Sequence, residues 1–175
     1  LFRSAVMLEL DLSPRRVDLV GEGFDLALRF GELQDDASLT ARRLATLSIG
    51  LYAAPAYLAE HGDPQSPEDL AQHKSVLLLK RNLEPARWTL LHGDTRWEGA
   101  PPSSFVANAP GLLLEMAVGG CGIVAVPDAM AQARVRSGEL RRVLSAWCLP
   151  PEPAWAVFLG RRLMPSKTRA FIEML

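Results

Sequence analysis

The fold is decided by one stretch of sequence, Val17-Asp-Leu-Val-Gly-Glu-Gly-Phe-Asp-Leu-Ala-Leu-Arg-Phe-Gly31. Upstream of it, Val6-Met-Leu-Glu-Leu-Asp-Leu12 alternates apolar and acidic residues, which predicts a strand with one covered face. Ser13-Pro14 is typical of a helix start and Gly21 of its end. The apolar run Asp25-Leu-Ala-Leu-Arg29 then predicts a buried strand. A strand, a helix and a strand with tight connections indicate a βαβ crossover, and hence an α/β fold with a parallel sheet covered on both faces.

The end of that buried strand is the first candidate binding position. Sheets with helices on both faces bind small molecules beyond the carboxyl ends of their strands, which here means near Phe30 and Gly31. Arg29 ends the same strand beside them. Its guanidinium is suited to pair either with a ligand anion or with an acidic neighbour across the rim, and the sequence leaves both partners open.

Further along the chain, predicted helices and strands alternate without an internal repeat. One long strand or two consecutive strands are predicted over 39–53, ending at Pro55. Helices are predicted over 55–61, 109–118, 127–136 and 165–175, and another begins with the capping pair Ser66 and Asp69. Shorter strands are predicted over 76–80, 104–107, 123–126, 141–144 and 154–159, and a hairpin over 87–98 with its tip at 92–94. Pro150-Pro-Glu-Pro153 predicts a stiff, extended connector.

Composition and charge exclude several classes of protein. The 175 residues are 49% hydrophobic and 22% charged, as in an ordinary globular protein that can bury a full core. The formal net charge is −1 and the basic residues are scattered in pairs, so this chain lacks the basic stripe of a nucleic-acid-binding surface. No apolar run is long enough to cross a membrane and no signal peptide is visible, so we expect a cytoplasmic protein without membrane contact. Two cysteines, Cys121 and Cys148, do not make a disulfide framework.

The sequence contains no convincing catalytic, cofactor or metal site. Gly120-Cys-Gly-Ile-Val-Ala125 has the spacing of a dinucleotide-binding loop, but a predicted helix precedes it and a strand follows, the reverse of the order that such a loop needs. The three histidines, His61, His73 and His92, lack the spacing of metal ligands. Neither a Gly-x-Ser-x-Gly elbow nor a paired base is present. We therefore expect a protein that is not an enzyme and needs no cofactor.

Asn108 is the second candidate binding position, because it is predicted to start a helix. An asparagine there normally caps the first backbone N–H groups of the helix. The same helix end, with free N–H groups at Ala109 and Gly111, also suits a carboxylate or another small anion, while Pro110 has no N–H to offer. Capping and ligand contact therefore both remain open for Asn108.

Six segments carry a resemblance to a known family, and they cover almost the whole chain. In order they are Leu8-Glu-Leu-Asp-Leu-Ser13, the stretch from Val17 to Gly31, Ser38-Leu-Thr-Ala-Arg-Arg-Leu44, Ala54-Pro-Ala-Tyr-Leu-Ala-Glu-His-Gly62, Pro67-Glu-Asp-Leu-Ala-Gln-His73, and Asn108 followed by Ala117-Val-Gly-Gly-Cys-Gly-Ile-Val-Ala-Val-Pro127. Together they resemble the effector-binding (regulatory) domain of LysR-type transcriptional regulators. Each segment alone is weakly specific, whereas the six in this order are typical of the family.

The resemblance implies a fold like that of type 2 periplasmic binding proteins, in which two Rossmann-like α/β subdomains are joined by two crossover strands. Residues 1–53 and 154–175 would form regulatory subdomain I, and residues 54–153 would form subdomain II. The effector would bind in the cleft between them, at positions that follow a strand or open a helix. The residues expected at that site are Arg29, Phe30, Gly31, Ala53, Ala54, Asn108, Val126 and Pro127.

The resemblance also implies a function and its partners. A bacterial transcription factor would sense a small-molecule effector, for which a carboxylate is one candidate, and would act as a homodimer or homotetramer. DNA would be bound only through an N-terminal helix-turn-helix that is absent from this chain. The family's first regulatory strand and helix are also expected to be absent, so that the domain is N-terminally truncated. A solute-binding protein of a transporter is the alternative, and an enzyme on the same scaffold ranks last.

Overall fold

The computed structural model describes residues 7–13, 15, 17–33, 38–80, 83–160 and 166–174. Its strands are β1 (Ala27–Phe30), β2 (Leu39–Ala53), β3 (Ser75–Leu78), β4 (Trp88–His92), β5 (Thr95–Gly99), β6 (Ser103–Ala107), β7 (Ile123–Pro127), β8 (Arg141–Val143) and β9 (Leu149–Leu159). Its helices are α1 (Pro55–His61), α2 (Pro110–Val118), α3 (Asp128–Arg136) and α4 (Ser166–Met174), with a 3₁₀ helix at Pro67–Gln72. Among the described residues, no helix is both long and apolar enough to span a bilayer.

The chain divides into two compact units. Unit 1 consists of Leu1–Thr46 and Pro153–Leu175, and unit 2 consists of Leu47–Glu152. The first boundary lies earlier than the subdomain boundary expected after Ala53, because the last five residues of β2 are buried and pair with strands of unit 2. The second boundary lies one residue before the expected one. β2 and β9 are the strands that carry the chain from one unit into the other.

Unit 1 is built on an antiparallel pair of strands. β1 pairs with the second half of β9, beginning with Ala27 opposite Val157. A small core joins this pair to α4 through the buried side chains of Ala156, Phe158 and Ile172. The period-two pattern of β9 and the helical spacing of α4 thus bury their apolar faces against each other.

The βαβ crossover predicted for the start of the chain is wrong for the described residues. Residues 7–13 belong to no strand, and Met7 and Leu12 are 91% and 89% exposed, so the alternating pattern has no covered face. The predicted helix begins at Pro14, which lies outside the described residues. At its end the structure has a single turn, in which the Asp18 carbonyl accepts a hydrogen bond from Glu22 N–H at 2.9 Å and the Asp18 side chain accepts one from Val20 N–H at 3.0 Å. β1 consequently has an antiparallel neighbour and no parallel one among the described strands.

Unit 2 contains a mixed sheet with the strand order β2-β7-β3-β6. β7, β3 and β6 run parallel, whereas β2 runs antiparallel to β7 and to β8. The predicted hairpin is confirmed as β4 and β5, which form a separate two-stranded sheet. Side chains from both faces of the main sheet build the core, whose largest fully buried members include Trp88, Leu51, Leu70, Leu90, Leu113 and Ile123.

Most local predictions for unit 2 are confirmed, with one correction at its end. The helix predicted at Ser66 is the 3₁₀ helix, and it has the expected capping box, in which backbone N–H groups lower the pKa of the Asp69 carboxyl. The run Pro150-Pro-Glu-Pro153 is extended as predicted, but as part of β9, which carries the chain across the boundary between Glu152 and Pro153. Proline and the residue before it favour extended backbone, which a strand requires as much as a linker does.

The glycines after α2 are confirmed as a turn from a helix into a strand. α2 precedes them and β7 follows, so the order required of a dinucleotide-binding loop is absent. Gly122 has a φ of 145°, and a Cβ built on it would lie 2.5 Å from the carbonyl oxygen of Lys74. Its role is therefore a close approach of two backbones at the start of β7.

We predict that Gly122→Ala lowers the free energy of unfolding by about 3 kcal/mol, since a backbone clash adds to an unfavourable positive φ. Urea denaturation of the two proteins measures the difference. Gly138→Ala is the matched control: its φ is 78°, but no atom lies within 4 Å of the added Cβ. Only the cost of the backbone conformation remains there, about 1 kcal/mol. Equal losses in the two variants would contradict the close approach at Gly122.

Candidate functional site

One edge of the unit 2 sheet collects the carboxyl ends of three parallel strands. The register of β3 with β6 and β7 brings these ends together. Three of the expected site residues lie there: Asn108 directly after β6, and Val126 and Pro127 at the end of β7. Val126 is buried, Pro127 is half-buried and Asn108 is exposed. This is the edge at which α/β sheets bind small molecules.

Two other expected site residues, Ala53 and Ala54, lie toward the opposite edge of the same sheet. β2 is antiparallel to β7 and places Ile49, not Ala53, opposite Pro127. Ala53 is four residues further along β2, which corresponds to about 13 Å. Both alanines are also buried, with exposures of 0% and 4%. The structure therefore does not bring them together with Asn108, because the chain enters unit 2 several residues before Ala53.

The start of α2 has no side-chain cap, so the prediction that Asn108 caps this helix is wrong. The N-cap is Ala109, whose backbone is extended with φ −114° and ψ 103°, and no side chain accepts a hydrogen bond from the first turn. Pro110 occupies the first helical position and disfavours helical backbone at the residue before it, which leaves Asn108 one residue too early to cap. The first turn carries no acidic residue, and no atom lies within 4 Å of a Cβ added at Gly111. The N–H groups of Gly111 and Leu112 have no acceptor within the helix.

The start of α3 is filled by a carboxylate of the chain itself. Pro127 is the N-cap and Asp128 is the first helical residue. Asp128 Oδ1 accepts a hydrogen bond from the Tyr52 hydroxyl at 2.7 Å, and Oδ2 accepts one from Arg142 Nη1 at 3.1 Å. Gly50 makes room for this cluster, since a Cβ there would lie 2.8 Å from Asp128 Oδ1. The carboxylate also lies where the positive end of the helix dipole favours it.

The three side chains Tyr52, Asp128 and Arg142, here called the Tyr52 cluster, form a polar group whose members hydrogen-bond one another. Burial, followed by the hydrogen bond and charge of Asp128, raises the pKa of Tyr52 to about 12, so the hydroxyl keeps its proton near neutral pH. The Arg142 guanidinium lies 5.9 Å from the centroid of the Tyr52 ring, a distance that allows a cation–π contact. The cluster therefore links β2, β8 and α3 and neutralises its own charge.

Unit 1 holds the remaining expected residues, Arg29, Phe30 and Gly31, at the end of β1. Gly31 has a φ of 80°; its N–H donates to the Pro153 carbonyl and its carbonyl accepts from Trp155 Nε1, both at 3.0 Å. Both backbone hydrogen-bonding groups of Gly31 therefore have partners within unit 1. Phe30 is 59% exposed. Arg29 is half-buried and lines an open depression of about 320 Å³ together with Val17, Asp18, Leu19, Val20, Ser38 and Leu39.

The groups available at these positions are suited to binding a small anion. Backbone N–H groups at the start of α2 and the amide of Asn108 are donors suited to an anion. In the described part of the chain, no three His, Cys, Asp or Glu side chains converge in a way that could hold a metal ion.

The family model described as the LysR substrate binding domain matches residues 3–175. The chain belongs to that family. An HTH-type transcriptional regulator of Xanthomonas campestris pv. campestris is 38% identical over 173 residues, which are 97% of this chain and 50% of the relative. The HTH-type transcriptional activator AaeR of Escherichia coli K12 is 31% identical over 159 residues, which are 90% of this chain and 50% of that protein. The LysR domain described here thus spans about half the length of the curated relatives it matches.

Solved structures of the same family have the same fold as this LysR domain. The regulatory domain of CrgA from Neisseria meningitidis superposes with a TM-score of 0.75 at 30% identity, covering 89% of this chain and 75% of that one. The full-length Vibrio cholerae virulence activator AphB gives a TM-score of 0.77 at 29% identity, covering 94% of this chain and 55% of that one. The mixed α/β architecture expected from the resemblance is therefore confirmed.

Sequence reasoning missed the Tyr52 cluster of this LysR domain. Its members are 76 and 14 residues apart along the chain, so no local motif joins them. Basic residues occur along the sequence as scattered pairs without assigned partners, yet Arg142 pairs with Asp128 while Arg141 pairs with Asp63. A signal was present at Pro127-Asp128, since an acidic residue after proline is typical of the first turn of a helix.

We predict that Asp128→Ala lowers the free energy of unfolding of the LysR domain by about 2 kcal/mol, because the Tyr52 hydroxyl and Arg142 both lose their partner. Tyr52→Phe removes one neutral donor and is expected to cost about 1 kcal/mol. The double variant should cost less than the two single losses combined, since both break the same hydrogen bond. Guanidinium denaturation measures all three. Glu60→Ala on the exposed face of α1 is the control, with a change within about 0.5 kcal/mol; an equally harmless Asp128→Ala would contradict a stabilising cluster.

Proposed function

We propose that this domain senses a small-molecule effector within a LysR-type bacterial transcription factor and controls DNA-templated transcription through rearrangement of a homo-oligomer. The observation that carries the proposal is the match over 97% of the chain to a relative named as an HTH-type transcriptional regulator. DNA would be bound by a helix-turn-helix domain elsewhere in the full-length protein. The names of the matched relatives favour a regulator over the solute-binding alternative.

Several properties of the protein follow from that proposal. A ligand-sensing domain works by binding one arrangement of the protein better than another, which requires no catalysis and no cofactor. The same role places the protein in the cytoplasm, where the DNA is, and requires no contact with a membrane. These statements all depend on the proposed regulator function.

The proposed effector site of unit 2 is the start of α2, and the proposed effector is a carboxylate or a similar small anion. Two helices start at the binding edge of the sheet, and they differ in charge. The start of α3 is filled by Asp128, which repels a second anion. The start of α2 has no cap and no acid, and exposed Asn108 lies beside it. Pro127 at the same edge is a further proposed contact, whereas buried Val126 would only support it. In unit 1, taken by itself, Arg29 and exposed Phe30 are proposed as ligand contacts.

A thermal-shift screen against small carboxylic acids, amino acids and aromatic acids tests this site. A bound acid at about 100 times its dissociation constant adds roughly 2.7 kcal/mol of stability, which raises the Tm by about 5–10 °C. We predict that Asn108→Ala weakens the best acid by about tenfold or more, since a hydrogen bond to a charged group contributes about 1.5–3 kcal/mol.

A loss of binding in Asn108→Ala can be distinguished from a loss of stability. Asn108 does not cap α2, so its truncation leaves the Tm without ligand nearly unchanged. Ser104→Ala, an exposed polar truncation on β6, is the matched control and should bind the acid as the wild type does. Equal affinities of the wild type and Asn108→Ala would reject Asn108 as an effector contact. The regulator function would then need another site.

The proposed surface for the homo-oligomer is the outer edge of the unit 2 sheet. β6 ends the strand order and pairs only with β3 among the described strands. Apolar side chains on and beside it are partly exposed: Leu78 37%, Phe105 43%, Val106 39% and Leu112 51%. Unpaired strand edges with apolar side chains are prone to pair with another chain, and closed dimers are the commonest outcome.

We predict that Phe105→Asp raises the dissociation constant of the dimer about thirtyfold, because a central apolar contact contributes about 2 kcal/mol and a buried charge is unfavourable. Sedimentation equilibrium over a concentration series measures it. Val135→Asp on α3 is the matched control, since Val135 is exposed to a similar degree, 39%, but lies on another element. A dimer that weakens equally in both variants, or in neither, would exclude the β6 edge as the interface.

A further inference from the structure

A buried tyrosine and histidine fasten the helical segment of unit 2 to its sheet. Tyr57 of α1 and His73, which follows the 3₁₀ helix, are 2% and 6% exposed. The Tyr57 hydroxyl oxygen lies 3.2 Å from His73 Nδ1 and accepts a hydrogen bond from Lys74 N–H at 2.8 Å. The Lys74 carbonyl accepts a hydrogen bond from Ile123 N–H, at the start of β7, at 2.9 Å. One short network thus joins α1, the 3₁₀ helix, β3 and β7.

The network links the protonation of His73 to the direction of the Tyr57 hydroxyl. That hydroxyl has one proton to donate, and its oxygen accepts from Lys74 N–H. With a neutral ring, the nearer acceptor for the proton is His73 Nδ1 at 3.2 Å, since the Lys74 carbonyl is 3.4 Å away and is also bonded to Ile123. A proton on Nδ1 would make it a donor, so the hydroxyl would have to turn its own proton to the Lys74 carbonyl and accept two hydrogen bonds. Protonation of the buried ring therefore requires this network to rearrange.

The charged groups around His73 shift its pKa in both directions. His61 stacks on the other side of the pair, its ring centroid 4.3 Å from that of Tyr57. Burial, and after it the charge of His61, lowers the pKa of His73, whereas Asp69 and Asp63 act to raise it. Asp63 is itself paired with Arg141 of β8, which reduces its pull on the histidine. Burial is the largest of these effects, so the ring is held neutral.

We propose that His73 makes unit 2 proton-sensitive: α1 and the 3₁₀ helix are fastened to the start of β3 while His73 is neutral, and they loosen when it takes up a proton. The ligand of this site is a proton, so the proposal goes beyond effector sensing and does not rest on it. The segment that loosens follows β2 directly, and its last contact is the Lys74 carbonyl against the turn at Gly122. Acidification would thus reach the start of β7 and the end of β2, the strand that carries Tyr52.

The direction of the pH dependence follows from linkage. The pKa of His73 in the folded protein lies below the ordinary value of 6.5, so between the two values the unfolded or opened chain binds more protons. The stabilisation is complete above about pH 6.5 and is lost as the pH falls from there through the folded pKa.

Two NMR measurements on the full 175-residue chain test the proposal. The chain has three histidines, so the ring resonances of His61, His73 and His92 can be assigned by single variants and titrated. We expect His73 to titrate below its ordinary value of 6.5. The amide of Lys74 reports the network directly, because its N–H donates to Tyr57. Its protection from hydrogen exchange, corrected for the intrinsic pH effect, should fall by roughly threefold to tenfold between about pH 7 and 5.5.

The matched variants separate protonation from packing. His73→Asn offers an amide oxygen near the position of Nδ1 and cannot be protonated, so protection at Lys74 should lose its pH dependence. His92→Asn removes a histidine at the exposed hairpin tip and should leave the pH dependence as in the wild type. His61→Asn should move the titration of His73 upward, since a like charge is removed.

A His73 titration at or above the ordinary value of 6.5, or protection at Lys74 that does not change with pH, would overturn the proposal. So would an unchanged pH dependence in His73→Asn. If His73→Asn does not fold, the wild-type titration and exchange data decide alone. None of these readouts involves the effector, so a failure here leaves the regulator function intact, and the converse also holds.

Discussion

The constraint on which unit 2 depends is the burial of the last third of β2. Residues 49–53 are buried in succession; residues 49–52 pair with β7, and residues 51–53 pair with β8. A strand covered on both faces must be apolar throughout, and the segment Ile-Gly-Leu-Tyr-Ala satisfies this except at one phenol. That phenol, Tyr52, is satisfied by Asp128. The one position without a side chain, Gly50, leaves the space that the cluster occupies.

The same constraint explains why two helix starts at one edge of the sheet differ in chemistry. The start of α3 has to supply a partner for buried Tyr52, and Asp128 does so while it neutralises the helix dipole. The start of α2 does not have to supply a partner for a buried side chain, since the neighbouring β6 is an exposed edge strand. It therefore keeps unpaired N–H groups and an uncapped end. The start of α3 is therefore occupied because Tyr52 needs a partner, whereas the start of α2 is open because no buried group there needs one.

Local sequence signals predicted elements well wherever the element is stabilised locally. The capping box at Ser66, the proline at the start of α1 and the glycine turn at 93–94 act within a few residues, and all are confirmed. The alternating segment before residue 13 failed for the opposite reason. A period-two pattern creates a strand only where a neighbouring strand and a covering layer exist, and among the described residues it has neither. The prediction that Asn108 caps α2 was wrong by one position, because Pro110 determines where α2 begins.

The sequence by itself determined the family, the α/β class, most element bounds of unit 2 and the edge position of Asn108, because these follow from local propensities and from an ordered set of short motifs. Only the tertiary structure decided strand direction and register, the point where the chain passes into unit 2, the Tyr52 cluster and the Tyr57–His73 pair. These features join residues that are far apart in the sequence, such as Ala27 of β1 and Val157 of β9. Their partners are chosen by packing and by the need to satisfy buried polar groups, which a linear pattern does not record.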